Sequence, residues 1–176
     1  PYDCIGPAGV AKNVLTVGAI DYTETRYTSP ADVIMSDFSA WGPTDDGRIK
    51  PDIVGPGVNI LSTIAEGNNE YGEQSGTSMA APAVAGSLIL LQEQYARATG
   101  GQYMRAATLK GLIVHTAFEA GENDGPDYSY GWGVLSTDRA SNLITSRDGL
   151  RTIMEENVVR SGDSLVYTLA SDGTAP

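Results

Sequence analysis

The chain has 176 residues, 41% hydrophobic and 19% charged, which is typical of a folded globular protein and not of a disordered one. The net charge of -11 argues against a nucleic-acid partner, because neutralising phosphates requires clusters of Lys and Arg. The longest apolar stretch, residues 79–91, is broken by Pro82 and Gly86 and is too short to span a bilayer, so we expect no membrane partner. Cys4 is the single cysteine, so no internal disulfide can form. We therefore expect a soluble, secreted protein.

The first part of the chain reads as short strands joined by connectors. Residues 14–20 (VLTVGAI) form a short apolar run rich in β-branched residues, which predicts a buried strand, and residues 58–63 (VNILST) predict another. Between them, residues 39–43 and 50–57 are dense in Gly and Pro, which fix the backbone of turns. We expect these two segments to be connectors that position other groups.

The pattern then changes to helical. One helix is predicted from Ser78 to about Arg97, with Gly86 inside it. A glycine inside a helix costs up to ~1 kcal/mol, so we expect Gly86 to pack closely against a neighbouring sheet. A second helix is predicted over residues 105–117, and a third begins at Thr137, which is a suitable N-cap.

Near Ser146 the pattern changes again. Residues 151–154 and 164–169 alternate between apolar and polar, which predicts antiparallel strands. We place a domain boundary here, giving residues 1–146 and 147–176. Because two strands cannot bury a face by themselves, the second segment is expected to begin a longer β-domain or to dock on the first one.

Ser78 lies where a polar, Gly-rich stretch, residues 67–76, leads into the first predicted helix. A helix N-terminus carries unpaired N–H groups and a positive dipole end, which stabilise the oxyanion that forms when a nucleophile attacks a carbonyl. Pro82 has no N–H to bond the Ser78 carbonyl, so the first turn is open at the serine. These residues alone are compatible with a nucleophile and with a serine that merely begins a helix.

Residues 76–86 (GTSMAAPAVAG) resemble the nucleophile motif of the subtilases, the subtilisin-like serine proteases. Residues 13–21, 38–43 and 50–57 resemble further subtilase segments in the same order and spacing. The resemblance covers about residues 5–143. It implies the C-terminal half of an α/β catalytic domain, a subtilisin-like three-layer αβα fold with a parallel sheet, and the activity of a serine endopeptidase acting on peptides or proteins.

The resemblance also implies roles for single residues. Ser78 would be the nucleophile and its backbone N–H an oxyanion donor, with Thr77 supporting that oxyanion site. Met79 would be the position at which oxidation to the sulfoxide inactivates such enzymes. Residues 5–9 resemble the loop at the floor of the pocket for the substrate residue before the cleaved bond, with Gly6 keeping that pocket deep. The substrate-binding residues implied are Ile5, Gly6, Pro7 and Gly76.

A Ser-His-Asp mechanism also needs a base and a carboxylate that orients it. The one histidine, His115, lies after Ser78 in a predicted helix, whereas the subtilase base lies in an upstream His-Gly-Thr-His helix. We expect His115 to be structural or at the surface. The family's Asp-Thr-Gly and Asn-Gly elements are absent too, so we expect a processed product or fragment, inactive alone, whose partner is the missing N-terminal half of the catalytic domain.

Acidic residues near turns are the candidates for a metal site. Asp45, Asp46 and Asp124 lie near Gly-rich turns and could bind calcium, but there is no Asp-x-Asp-x-Asp ladder, so solvated acidic loops are expected. The resemblance places Asp52 near a weak cation site of some subtilases. No cofactor is expected for the chemistry, and structural calcium stays open.

Residues 162–170 resemble the opening of the β-sandwich domain that follows the catalytic domain in some larger subtilases.

Two alternatives to a serine endopeptidase stay open. A non-catalytic subtilase-like scaffold or binding module is the first alternative. An esterase of another fold is the second, although Gly76-Thr77-Ser78-Met79-Ala80 lacks the second glycine of Gly-x-Ser-x-Gly; this alternative predicts a strand immediately before Ser78.

Overall fold

The computed structural model describes residues 4–21, 27–146 and 154–168. Their contacts divide the chain into two compact units, Pro1–Ser146 and Arg147–Pro176. In chain order, the helices and strands of the first unit are β1 (Val17–Ile20), a 3-10 turn (Pro30–Asp32), β2 (Ile53–Pro56), β3 (Ile60–Thr63), β4 (Tyr71–Gln74), α1 (Thr77–Thr99), α2 (Ala106–His115) and α3 (Thr137–Thr145).

Strands β1 and β2 form a parallel pair, with Val17 opposite Ile53. The main-chain groups of Ala19 form hydrogen bonds with the side chains of two buried serines. The amide of Ala19 donates to Ser39 Oγ at 3.0 Å, and Ser36 Oγ donates to the Ala19 carbonyl at 2.8 Å. The predicted strand over residues 14–20 is therefore present in its second half, where Ala19 and Ile20 are completely buried.

Strand β2 lies in the segment that we expected to be only a connector, residues 50–57. Ile53 and Val54 are completely buried. The amide of Val54 donates to the Gly133 carbonyl at 3.0 Å, and the amide of Leu135 donates to the Val54 carbonyl at 3.1 Å. The flanking prolines gave this segment the composition of a turn, but burial and pairing on both edges make it a central strand.

Strand β3 lies in the segment predicted to be a second buried strand, and the burial part of that prediction is wrong. It pairs antiparallel with β4, and Leu61 is 66% exposed. A hairpin of two strands covers neither of its own faces, which explains the exposure. The polar sequence of β4, Tyr-Gly-Glu-Gln, gave no strand signal, so the hairpin was not predicted.

Helix α1 packs against β1, β2 and α3. Its buried residues include Ala80 and Val84, and Val84 lies over Gly55 so closely that a Cβ at Gly55 would be 3.0 Å from Val84 Cγ2. Gly86 does not pack against a sheet: it is exposed, and a Cβ there would meet no atom within 4 Å. The expected compensation for this glycine is therefore absent from the described residues.

The two later helices lie close to their predicted positions, with small differences at their ends. Helix α2 ends at His115, two residues before the predicted end. The N-cap of α3 is Ser136 and not Thr137: Ser136 Oγ accepts a hydrogen bond from the amide of Arg139 at 3.4 Å. Thr137 is instead the first residue of the helix.

In the second unit, the described residues 154–168 contain neither strand nor helix. The predicted strand over residues 164–169 is therefore not formed at residues 164–168, where Val166 is 85% exposed and has no sheet to pair with. Residues 151–153, most of the other predicted strand, and residue 169 lie outside the described residues. Assignment of this unit to the start of a β-sandwich domain stays a prediction.

Candidate active site

The N-terminus of α1 presents Ser78 to solvent. Gly76, with φ 156° and ψ 161°, precedes the helix, and its carbonyl accepts the amide of Met79 at 3.0 Å. Ser78 is exposed, and neither its hydroxyl nor its amide has a hydrogen-bond partner among the described residues. Pro82 lies four residues on and has no N–H for the Ser78 carbonyl. The helix therefore offers a hydroxyl and an unpaired amide at its positive end.

Two main-chain hydrogen bonds tie this helix start to the parallel strands. The amide of Gly57 donates to the Ile20 carbonyl at 2.9 Å, and the amide of Gly76 donates to the Gly57 carbonyl at 2.7 Å. The approach is so close that a Cβ at Gly57 would lie 2.8 Å from both the Gly76 oxygen and Ala19 Cβ. The end of β1 thus fixes the position of the residues just before Ser78.

The β3–β4 hairpin also leads into the site. Part of the stretch before Ser78 is a strand, since β4 ends at Gln74. Between this strand and the helix, Ser75 Oγ accepts a hydrogen bond from the amide of Asn59 at 2.9 Å. The esterase alternative predicts a strand immediately before Ser78, but β4 ends at Gln74 and residues 75–77 separate it from the serine. In addition, β4 belongs to an exposed antiparallel hairpin and not to the buried sheet from which a Gly-x-Ser-x-Gly elbow rises.

The predicted pocket floor is a short turn near the start of the described chain. Ile5 is half-buried, while Gly6 and Pro7 are exposed, and the amide of Gly9 donates to the Gly6 carbonyl at 2.8 Å. Ile5 and Pro7 line a cavity of 390 Å³ whose lining does not include Ser78. A Cβ at Gly6 would meet no atom within 4 Å. The role of this turn in substrate binding stays a prediction, as does that of Thr77, which is exposed.

His115 is the last residue of α2 and is exposed. Its side chain makes no hydrogen bond to any described residue. The structure thus shows a surface histidine with no carboxylate orienting it, which is what a general base of this type would require.

The three acidic residues considered for calcium do not assemble. Asp45 and Asp124 are exposed. Arg48 Nε donates to both carboxylate oxygens of Asp46 at 2.9 Å and, together with the Thr44 hydroxyl, holds the pKa of Asp46 at about 2. Within residues 4–21, 27–146 and 154–168, no three His, Cys, Asp or Glu side chains are grouped so as to hold a metal ion.

Asp52 is buried between two lysines. Its Oδ2 lies 2.6 Å from Lys50 Nζ, and its Oδ1 lies 2.8 Å from Lys110 Nζ. The Thr16 amide donates to Oδ2 at 2.7 Å. Both carboxylate oxygens are thus engaged by ammonium groups of the protein, and the cation role considered for Asp52 stays a prediction. Sequence spacing could suggest the Lys50 contact, but Lys110 is too distant in sequence for any local pattern to reveal.

The buried parallel pair and the helix packed on it define an α/β protein, as predicted. The sequence model of the subtilase family matches residues 5–133, so the chain belongs to the subtilase family. The CspB protease of Clostridium perfringens has a similar structure, with a TM-score of 0.68 and 31% identity over 83% of this chain and 30% of that one.

Curated relatives match over shorter stretches. The C5a peptidase of Streptococcus pyogenes is 61% identical over 61 residues, which are 35% of this chain and 5% of that protein. The serine protease AprX of Bacillus subtilis (strain 168) is 39% identical over 102 residues, which are 51% of this chain and 23% of that protein. The chain thus spans less than a quarter of either relative.

Proposed function

We propose that this chain supplies the nucleophile of a subtilisin-like serine endopeptidase and that Ser78 is that nucleophile. The observation that carries the proposal is the exposed Ser78 hydroxyl beside an unpaired amide at the start of α1, inside the segment that matches the subtilase family. Similarity to the C5a peptidase and to AprX supports a peptide or protein substrate.

The chemistry follows from that position. Ser78 Oγ bonds to the carbonyl carbon of the substrate while its proton passes to a histidine base, and the Ser78 amide stabilises the oxyanion. The base then returns the proton to the leaving amine as the C–N bond breaks. Water hydrolyses the remaining acyl ester by the same route. No cofactor takes part.

We further propose that the base, its carboxylate and an oxyanion asparagine come from an N-terminal half of the catalytic domain. His115 is exposed and without such a partner, which supports an external base. Helix α1 supports an external partner too, because Ile89 is 69% and Leu90 65% exposed, although one face of the helix packs against the strands. Apolar side chains exposed next to each other are typical of a surface that another segment covers.

An extracellular location completes the proposal, and the acidic net charge of -11 is compatible with it. Among the helices that the structure describes, none is long and apolar enough to cross a membrane.

The test is labelling by a fluorophosphonate probe together with peptide hydrolysis, measured for the isolated chain and for the full-length protein that carries it. We expect labelling and turnover in the full-length protein only, both lost in Ser78→Ala and both kept in the control Ser87→Ala, which removes a hydroxyl from the same helix. Without a base, turnover should fall by a factor on the order of a million.

Two outcomes contradict parts of this proposal. Steady hydrolysis by the isolated chain that disappears in Ser78→Ala would show that it needs no external base. A full-length protein that neither labels nor hydrolyses would favour the alternative of a non-catalytic subtilase-like scaffold.

A further inference from the structure

A cluster of three charges lies away from the proposed active site, between α2 and the segment before β1. Lys50 is 2% and Asp52 7% exposed. Lys110 reaches Asp52 from α2, and its side chain is 27% exposed. The cluster holds two positive charges and one negative charge. The Lys50 ammonium alone therefore balances the charge of the Asp52 carboxylate, and Lys110 adds a net positive charge.

Three oxygen atoms of the protein accept hydrogen bonds from Lys110 Nζ. The ammonium donates to Asp52 Oδ1 at 2.8 Å, to the Val14 carbonyl at 3.1 Å and, more weakly, to the Lys12 carbonyl at 3.4 Å. Its three protons therefore have three acceptors. Two main-chain carbonyls and a carboxylate are also the ligand types that proteins use for hard metal ions.

Lys50 also has three acceptors, and it shares the Val14 carbonyl and the Asp52 carboxylate with Lys110. Its ammonium donates to Asp52 Oδ2, to the Val14 carbonyl at 2.9 Å and to Thr16 Oγ1 at 3.1 Å. Every buried side-chain nitrogen and oxygen in the described part of the chain has a hydrogen-bond partner, so the cluster is closed without an added ion.

We propose that the Lys110 ammonium is a tethered cation that fills an oxygen-lined cation site formed by Lys12, Val14 and Asp52. In this interpretation the protein binds no metal ion at Asp52, since its own side chain takes that place and fastens α2 to the chain before β1. Removing the ammonium while keeping the oxygens leaves a site that a free monovalent cation can enter.

The distances favour a monovalent ion over calcium. Calcium is bound by six to eight oxygens at about 2.3–2.6 Å. Here three protein oxygens lie 2.8 to 3.4 Å from the nitrogen, and Lys50 already balances the carboxylate charge. A vacated site of this size and charge is therefore expected to accept potassium ahead of calcium.

The experiment measures thermal unfolding of the full-length protein in an inactive Ser78→Ala background, which prevents self-cleavage and makes the result independent of the proposed function. Choline chloride is replaced stepwise by KCl at constant ionic strength, because choline is too large for the site. The variant is Lys110→Met. The matched control is Lys12→Met, which removes an equal charge from an exposed side chain and leaves its carbonyl in place.

We expect the midpoints of the parent protein and Lys12→Met to be the same in both salts. Lys110→Met should melt at a lower temperature in choline and recover by about 3 °C in KCl, with saturation. Folding of Lys110→Met only in KCl would also support the proposal.

Three results would overturn it. Lys110→Met could respond to KCl no more than Lys12→Met. It could fold in neither salt, which would make the ion pair structural only. The parent protein could gain stability from CaCl2 or KCl in a way that Asp52→Asn abolishes, which would show a free ion at Asp52.

Discussion

Replacing Gly57 by alanine tests how firmly the strand end positions Ser78. Gly57 has no positive φ, so its backbone tolerates alanine, and the effect comes from contacts alone. The new Cβ would lie 2.8 Å from Ala19 Cβ and from the Gly76 oxygen, about 0.6 Å closer than ordinary contact at 3.4 Å. Overpacking of this kind costs about 1–3 kcal/mol. Both neighbours are compact and rigid, so we expect the helix start to shift.

The expected consequence is a loss of rate together with a loss of stability. A misplacement of about 1 Å can cost a factor of about 100 in rate, so a shift of about 0.6 Å is expected to lower kcat/KM about tenfold. We expect the unfolding midpoint to fall by a few degrees. The assay is peptide hydrolysis and thermal unfolding of the full-length protein.

The control is Gly86→Ala, an alanine added to α1 where a Cβ meets no atom within 4 Å. It should leave kcat/KM unchanged and raise stability slightly, by up to ~1 kcal/mol. If Gly57→Ala hydrolyses peptides within twofold of Gly86→Ala, the strand end does not position the nucleophile and the reasoning is refuted.

Three further predictions concern other parts of the first unit. Gly6→Ala should lower kcat/KM for peptides with a large residue before the cleaved bond and leave the unfolding midpoint unchanged; equal loss for small and large residues would argue against a pocket at Gly6. Hydrogen bonds from the Thr28 side chain and from the Thr28 and Ser29 amides lower the pKa of Asp32 from 3.8 to about 2, so its stabilising contribution is present above pH 3.8 and lost towards pH 2. Asp32→Asn should therefore weaken the fall in unfolding free energy between about pH 4 and 2, measured by urea titration, and an unchanged pH slope would contradict this. Ser136→Ala should cost about 1 kcal/mol of stability in urea unfolding and Thr137→Ala clearly less, and the reverse order would restore Thr137 as the N-cap.

The helices were predictable from the sequence because their signals are local. The periodicity of apolar residues and the glycines at 100 and 101 set the limits of α1 to within two residues, and Gly100 indeed adopts the left-handed conformation at φ 73°. Strand β2 was not predictable in the same way, because what makes it a strand is pairing with residues distant in sequence. The burial of β3 was misjudged for the related reason that a strand's partner decides its exposure.

In the candidate site, too, local features were predictable from the sequence and contacts between distant segments were not. The family of the chain followed from ordered motifs, and Ser78 was singled out by a local feature, the start of a helix. Two main-chain contacts hold Ser78 in place, one between Ile20 and Gly57 and one between Gly57 and Gly76. They join segments that are distant in sequence, and because main-chain atoms are the same in every residue, the sequence does not reveal them. The link between Lys110 and Asp52 has the same character, since it depends on how α2 is placed.

The hydrogen bond between Gly76 and Gly57 also closes the base of the β3–β4 hairpin. The segment between these two glycines therefore begins and ends at neighbouring positions. We therefore expect residues 65–69, which lie beyond the hydrogen bond from the Ile64 amide to the Glu70 carbonyl, to tolerate changes in length and sequence without moving the serine that follows. For protein engineering this loop is an insertion site next to the proposed catalytic centre, where an added binding peptide would recruit substrates while the nucleophile keeps its position.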